Sequence, residues 1–266
     1  MTVIPVGDIE LDYERSGAGP PLLMIMGMSG TALHWGEPFL SELRRDFDLI
    51  AYDHRGVGAS SRLEGRLTIA QLADDAAALL SALDLDSAHV LGISMGGMVA
   101  QELALGHPER VRALVVGCSY CAQRGQLTPP EVLNRLTEAM TSGDRARAIR
   151  AAWEANVSPD AAADEEAYRR FVAIAERRSV ALPVVMAQLR ACAAHDTSDR
   201  LPLLEAPTLV VHGSVDQMIP AAAGEQIASL IPGARLEIID GVGHLFFWEQ
   251  PERSAELVRS HVATLV

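Results

Sequence analysis

Five residues, Gly92-Ile93-Ser94-Met95-Gly96, do most to restrict the folds open to this chain. They stand where the apolar run Ala88-His89-Val90-Leu91 gives way to a helix-like segment. A chain that passes from strand to helix over so few residues must turn sharply, and the turn lifts the Ser94 hydroxyl above the sheet in a strained conformation. Gly92 and Gly96 make the turn feasible, because neighbouring backbone can approach them without meeting a Cβ. The spacing G-x-S-x-G is common by chance; a strand before it and a helix after it make it specific. Ser94 is therefore the candidate nucleophile, with Gly92 and Gly96 as structural turn residues.

The rest of the first half repeats the same alternation. Strand-like runs occur at 10–15, 22–26, 47–52, 88–93 and 111–116, and helical patterns lie between them. Thr68 opens one helix, with Gln71 three residues on as a capping box and Ile69, Leu72, Ala76, Leu79, Leu80 and Leu83 in the 3.6-residue apolar period. A second helix runs from Ser94 to about Leu105. Strands apolar on both faces and joined by helical crossovers imply a mostly parallel sheet covered on both sides, an α/β architecture. From about Ser119 to Asp199 the strands stop, and helical pieces are expected at 130–141, 144–156, 160–178 and 180–194, with Ser158-Pro159 as an N-cap followed by proline. Strands resume at 208–212 and 236–239, with a helix at 221–230 between them and a last helix at 249–265. The expected division is a core of 1–118 and 200–266 with a helical cap at 119–199.

Composition removes several functions. A chain of 266 residues is long enough for one large core or a core with an insertion. It contains no Lys, so Schiff-base chemistry, a Ser-Lys dyad and a phosphate loop ending in Gly-Lys are excluded. A formal charge of −13 with no basic stripe argues against nucleic acid as a partner. Residues 1–14 lack a basic and then apolar leader, and no run approaches a membrane span, so a cytoplasmic location without membrane association is expected. Three cysteines, Cys118, Cys121 and Cys192, do not suggest a disulfide framework. A homo-oligomer is left open.

A serine nucleophile needs a base, and the base needs a carboxylate to orient it. His244, in the loop Gly241-Val242-Gly243-His244 after a strand, is the candidate base. Among the other histidines, His89, His107 and His212 read as structural, and His34, His54, His195 and His261 lack a comparable position. Asp216, just past the strand at 208–212, is the candidate orienting acid, at the carboxyl edge where functional groups of open α/β sheets collect. The rival position after the earlier strand holds Cys118 and Ser119, neither a carboxylate. Donors for a developing oxyanion are expected from the Met95 amide at the helix start and from the Met28 amide, aimed by the tight backbone at Gly27. No histidine pair has metal-ligand spacing, and no cofactor is called for. Gly56-Val57-Gly58 fails as a dinucleotide loop because Ser61 stands at its third glycine, and Cys118-Ser119-Tyr120-Cys121 is not placed to open a helix as a redox motif.

With these residues in hand, the chain resembles an α/β-hydrolase. The resemblance rests on Gly92 to Gly97, on Asp53-His54-Arg55-Gly56-Val57-Gly58-Ala59-Ser60, on Pro207 to Gly213 through Asp216, and on Gly243-His244 followed by Glu249 and Pro251. It implies an eight-stranded, mostly parallel sheet flanked by helices, a helical cap inserted after the sixth strand, and an active site between cap and core. Met26-Gly27 stands where many members carry His-Gly, a departure similar to that of antibiotic-tailoring methylesterases and enol-lactone hydrolases. The implied activity is hydrolysis of a small-molecule carboxylic ester or lactone through an acyl-enzyme on Ser94. Alternatives are hydrolysis of a carbon–carbon bond in a β-diketone-type substrate, or a ligand-binding receptor without turnover. In the cap, Trp153, Tyr120, Phe171 and Met186 are candidates for lining the pocket. Arg124, Arg135, Arg145, Arg147, Arg150, Arg169, Arg170, Arg177, Arg178 and Arg190 read mostly as a solvated face, from which one could reach a substrate carboxylate.

Overall fold

The apolar runs pair into one eight-stranded sheet in the computed structural model, which describes residues 2–122 and 128–263. The strands are β1 (Thr2–Val6), β2 (Ile9–Gly17), β3 (Pro21–Ile25), β4 (Asp48–Tyr52), β5 (Ala88–Ile93), β6 (Val111–Gly117), β7 (Thr208–Gly213) and β8 (Arg235–Ile239), in the order β1-β2-β4-β3-β5-β6-β7-β8. β2 pairs antiparallel with both β1 and β4; every pairing from β4 through β3 and β5 to β8 is parallel. The described helices are α1 (Glu37–Leu43), α2 (Ile69–Ala82), α3 (Met95–Gly106), α4 (Pro130–Thr141), α5 (Arg145–Asn156), α6 (Pro159–Ala162), α7 (Glu165–Arg177), α8 (Leu182–Ala193), α9 (Ala221–Leu230), α10 (Phe246–Glu249) and α11 (Pro251–Ala263).

Alternate residues of each central strand feed two cores. Leu23, Ile25, Val90, Leu114 and Val116 pack with α2, α3 and α9, while Leu22, Met24, Leu91, Val115 and Leu209 pack with α1, α10 and α11. A strand buried on both faces has no polar side to show, which is why these runs are continuously apolar. A smaller cluster of Trp153, Val157, Ala167 and Phe171 lies within the helical insert that follows β6, with Trp248 of α10 packed against it. The two ends of the insert are laced to each other: Thr197 N–H donates to Cys121 O, and the Tyr120 hydroxyl donates to Cys192 O.

Several boundaries differ from the sequence expectation for identifiable reasons. β1 was not expected because it is a largely exposed edge strand carrying Pro5, a residue that edges tolerate and central strands do not. The single helix expected at 160–178 is two, since Asp164 caps a fresh start by accepting from Glu166 and Ala167 N–H. The helix expected from Glu249 is likewise α10 and α11, broken at Pro251, which lacks an N–H and disfavours helix in the residue before it; its expected end at Leu265 lies outside the described residues. At Thr68 only half of the capping box forms: the hydroxyl accepts from Gln71 N–H at 3.1 Å, but the Gln71 side-chain oxygen has no partner. The Ser158 cap before Pro159 is present, and all three cysteines are buried. No helix among the described residues is long and apolar enough to cross a membrane.

Candidate active site

β5 delivers Ser94 to the carboxyl edge of the sheet and α3 starts at the next residue, so the turn falls on Ser94 itself, with φ 57° and ψ −123°. Non-glycine residues rarely adopt this conformation, and it persists only where the surroundings over-determine it. They do so here. Ser94 N–H donates to Gly117 O on β6, its carbonyl accepts from the first turn of α3 and from the Ser119 hydroxyl, and the backbone closes in on both sides. A β-carbon on Gly92 would collide with Gly96 O, and one on Gly96 with Ile25 O. The strand-to-helix turn is thereby wedged against β3, as the sequence requires.

At the ends of β7 and β8, Asp216 and His244 meet. His244 Nδ1–H donates to Asp216 Oδ2 at 2.7 Å, while Asp216 Oδ1 accepts from Met218 and Ile219 N–H at 2.8 and 2.9 Å. Burial alone would raise the Asp216 pKa, but the His244 and His212 imidazoles beside it outweigh burial and hold the carboxyl far below the usual carboxylate range. His212 was read from sequence as a structural strand residue; its Nε2 donates to Ile219 O at 2.8 Å and lies 3.3 Å from Asp216 Oδ2. It therefore stiffens the loop that carries the acid. Cys118 is also close by, with burial pushing its thiol well above the ordinary value. Cys118, His212 and Asp216 bring ligand-type atoms within 4.8 Å of one another, but a protonated thiol, a donating imidazole and a fully engaged carboxylate form a hydrogen-bonded cluster and not a cation's donor set.

The loop before His244 is stapled to the insert. Glu249 accepts from Gly243 N–H at 2.8 Å and from Ser158 through both its N–H and its hydroxyl, and Leu245 N–H donates to Asn156 O. In the sequence Glu249 stands at the start of the last expected helix and within the family resemblance; its partner Ser158 is 91 residues away, beyond the reach of any local pattern.

Across from Ser94 runs the loop 26–30. Gly27 lies so close that a β-carbon there would come within 3.0 Å of Ser94 Cβ. The block Asp53–Ser60 underlies this loop: His54 Nε2 bonds Met26 O, and Asp53 Oδ1 accepts from Ala32 N–H at 2.7 Å. From the other side Gln188 of α8, fully buried, accepts from Ser29 N–H at 2.9 Å. Among the described residues neither Met28 N–H nor Met95 N–H donates to a protein acceptor. The two unengaged amides thus flank the serine.

Ser94 stands between two cavities. One, about 150 Å³, is lined by Gly27, Met28, Ser29, His34, Asn156, Phe171 and His244 among others; the second, about 260 Å³, is lined by Met28, Met95, Met98, Tyr120, Leu133, Leu189, Cys192 and Ile219. Only the first reaches His244. The second is apolar, and Leu133 and Leu189, each 46% exposed, form its rim. A larger cavity of about 580 Å³, walled by Arg44, Arg177 and Arg178, touches none of Ser94, Asp216 and His244. Phe171 and Tyr120 therefore line the site as expected, whereas Trp153 is packed inside the insert and Met186 is exposed on its surface. Among the described residues no arginine lines either Ser94 cavity; Arg178 is bound to Asp12 and Asp53, and Arg124 lies outside the described residues. His34, for which sequence offered no role, lines the cavity with His244.

The comparisons with known proteins agree with this architecture. Over 96% of its length the chain is 31% identical to all of a pimeloyl-acyl-carrier-protein methyl ester esterase from Aeromonas hydrophila. It is 32% identical, over 95% of its length and 94% of the relative, to RutD of Azorhizobium caulinodans, a protein named for carbamate hydrolysis. The enol-lactonase of Burkholderia xenovorans superposes with a TM-score of 0.82 at 25% identity, covering 98% of this chain and all of that one. The family model for the alpha/beta hydrolase fold matches residues 20–251. With the strand order, the insert after β6 and the turn at Ser94 already described, the chain belongs to the alpha/beta hydrolase fold family.

Proposed function

We propose that the chain hydrolyses carboxylic esters or lactones of small molecules through an acyl-enzyme on Ser94. Ser94 Oγ attacks the carbonyl carbon as His244 takes its proton. Asp216 holds the imidazole with its proton on Nδ1, leaving Nε2 as the base. The Met28 and Met95 amides receive the oxyanion. His244 then returns the proton to the departing alcohol oxygen, and water, activated by the same imidazole, releases the acid. In this reading residues 119–199 act as a cap over a core of 1–118 and 200–266.

The observation that carries the proposal is the conformation of Ser94, held with φ positive at the mouth of a cavity shared with a carboxylate-backed histidine. Strain of this kind collects at functional sites. The geometry also gives the substrate a direction. The general acid must reach the leaving oxygen, so the alcohol part belongs in the cavity lined by His244 and the acyl part in the apolar one. A relative that acts on a methyl ester and a neighbour that acts on an enol-lactone support the bond type. The test is turnover of p-nitrophenyl butanoate by wild type and by Ser94→Ala. A loss in kcat on the order of 10⁶ is expected from removal of a serine nucleophile; equal rates would remove Ser94 from the mechanism.

A further inference from the structure

His34 lies in the 3-10 turn Ala32–Trp35, and every part of it except one nitrogen is engaged. Its carbonyl accepts from the Trp248 indole N–H at 2.7 Å, and its ring lies nearly perpendicular to that of Phe171, at 74°, with centroids 5.8 Å apart. Its Nδ1 receives the backbone N–H of Thr31 at 3.0 Å. An acceptor at Nδ1 fixes the tautomer: the ring's proton is on Nε2, and among the described residues that N–H has no protein partner. Burial pushes the imidazole down to about 4, so it remains a neutral donor through the physiological range. The residue lines the cavity that His244 reaches and not the apolar one. Besides Ser94 and His244, the other polar side chains described there are Ser29 and Asn156, and the Asn156 amide is turned back to donate to Ala152 O.

We propose that His34 is a specificity-determining residue whose Nε2–H binds an uncharged oxygen acceptor, such as a carbonyl, on the alcohol part of the substrate. The inference rests on the ester-hydrolase reading and deepens it. The acceptor is uncharged because, among the described residues, no arginine lines either cavity, and the chain has no lysine, so the described lining of the His244 cavity offers no cation for a carboxylate in a protein of net charge −13. It belongs to the leaving alcohol because His34 and His244 share one cavity. A donor held at Nδ1, at its carbonyl and against the Phe171 ring is pre-organised, so little ordering entropy is lost when the acceptor arrives.

The experiment compares two esters that differ in one atom, acetonyl butanoate and 2-methylallyl butanoate, in which a methylene replaces the ketone oxygen. The kcat/KM ratio between them is measured for wild type, His34→Phe and His34→Gln; dividing one protein's ratio by another's cancels the esters' intrinsic reactivities. The ratio should fall about tenfold in His34→Phe, the worth of one neutral hydrogen bond. His34→Gln, which keeps an N–H donor, should recover part of it. The methylallyl ester, cleaved at the same serine, reports whether each variant is folded; should His34→Phe fail to fold, His34→Leu removes the donor equally. Turnover of both esters with a ratio within about twofold of wild type in the donor-less variant overturns the inference alone. An equal loss in His34→Gln overturns it too, because the donor then makes no difference. No turnover of either ester by wild type overturns the ester reading and this inference with it.

Discussion

The two sides of the Ser94 cavities are built differently. On the core side, position is set by backbone: a positive φ at Ser94, glycines that admit only bare backbone, and a carboxylate whose oxygens are all engaged by Met218, Ile219, His212 and His244. On the insert side the walls are side chains, mostly apolar, and the insert is held by a few long-range contacts, Gln188 to Ser29, Glu249 to Ser158, and Arg178 to Asp12 and Asp53. The difference separates two tasks. Bond-making needs sub-ångström placement, which rigid strand ends supply, whereas selecting a substrate needs shape, which side chains on helices can change without disturbing that placement.

The largest predicted effect attacks the core side by exchanging one atom. In Asp216→Asn the side-chain oxygen stays against the Met218 and Ile219 N–H donors, which accept no alternative, so the new NH₂ faces His244 Nδ1. The imidazole must then carry its proton on Nε2 and loses its ability to take one from Ser94. Turnover is expected to fall on the order of 10⁴, with the fold unchanged by circular dichroism. A fall of less than tenfold would mean that the orientation of His244 is set elsewhere and that the two sides of the site differ less in how they fix position.

How much of this was legible in the sequence follows the same division. Ser94, Asp216 and His244 each stand just after an apolar strand, and strand ends are visible in one dimension because the run of β-branched and aliphatic residues stops there. Gly27 was readable for the same reason. His34, Gln188 and the bond from Ser158 to Glu249 were not, since each depends on a partner in another layer of the fold: Gln188 sits 159 residues from Ser29, and His34 occupies a short turn with no periodicity. His212 was placed correctly in a strand, but its contact with Asp216 depends on how the following loop folds back. The arginines of the insert read mostly as a solvated face, and those described do not reach the Ser94 cavities; charge alternation alone does not say whether one guanidinium turns inward.

Acid should strain the junction before it strains Asp216. His34 and His195 lie where insert and core meet, and burial pushes both down to about 4 from an ordinary value near 6.5. Between those values the unfolded chain takes up protons that the folded chain refuses, so stability falls as pH is lowered from about 6.5 towards 4 and the loss stops growing below that. Asp216 has the opposite shift, depressed from an ordinary value near 4, so its contribution is intact above that pH and is lost only below it. His54, His89 and His261, also lowered by burial, add to the first window. Melting temperature measured from pH 7.5 to 3.5 should decline below about 6.5, and His195→Phe should flatten part of that slope. A wild-type profile flat down to pH 4 would show that these imidazoles are protonated in the folded state.

The smallest effect probes the insert side alone. Leu189 lines the apolar cavity from α8 and is 46% exposed at its rim, so a larger side chain there narrows the cavity without entering the core. If the acyl part occupies this cavity, Leu189→Trp should lower kcat/KM for ethyl octanoate relative to ethyl acetate by about tenfold, in line with what exclusion of a methylene or two from an apolar pocket costs. The same variant should leave the ranking of acetate esters by alcohol length unchanged, because the alcohol lies on the His244 side. A shift in alcohol preference with acyl preference intact would reverse the assignment of the cavities, and with it the premise that proton return by His244 fixes which way the substrate lies across Ser94.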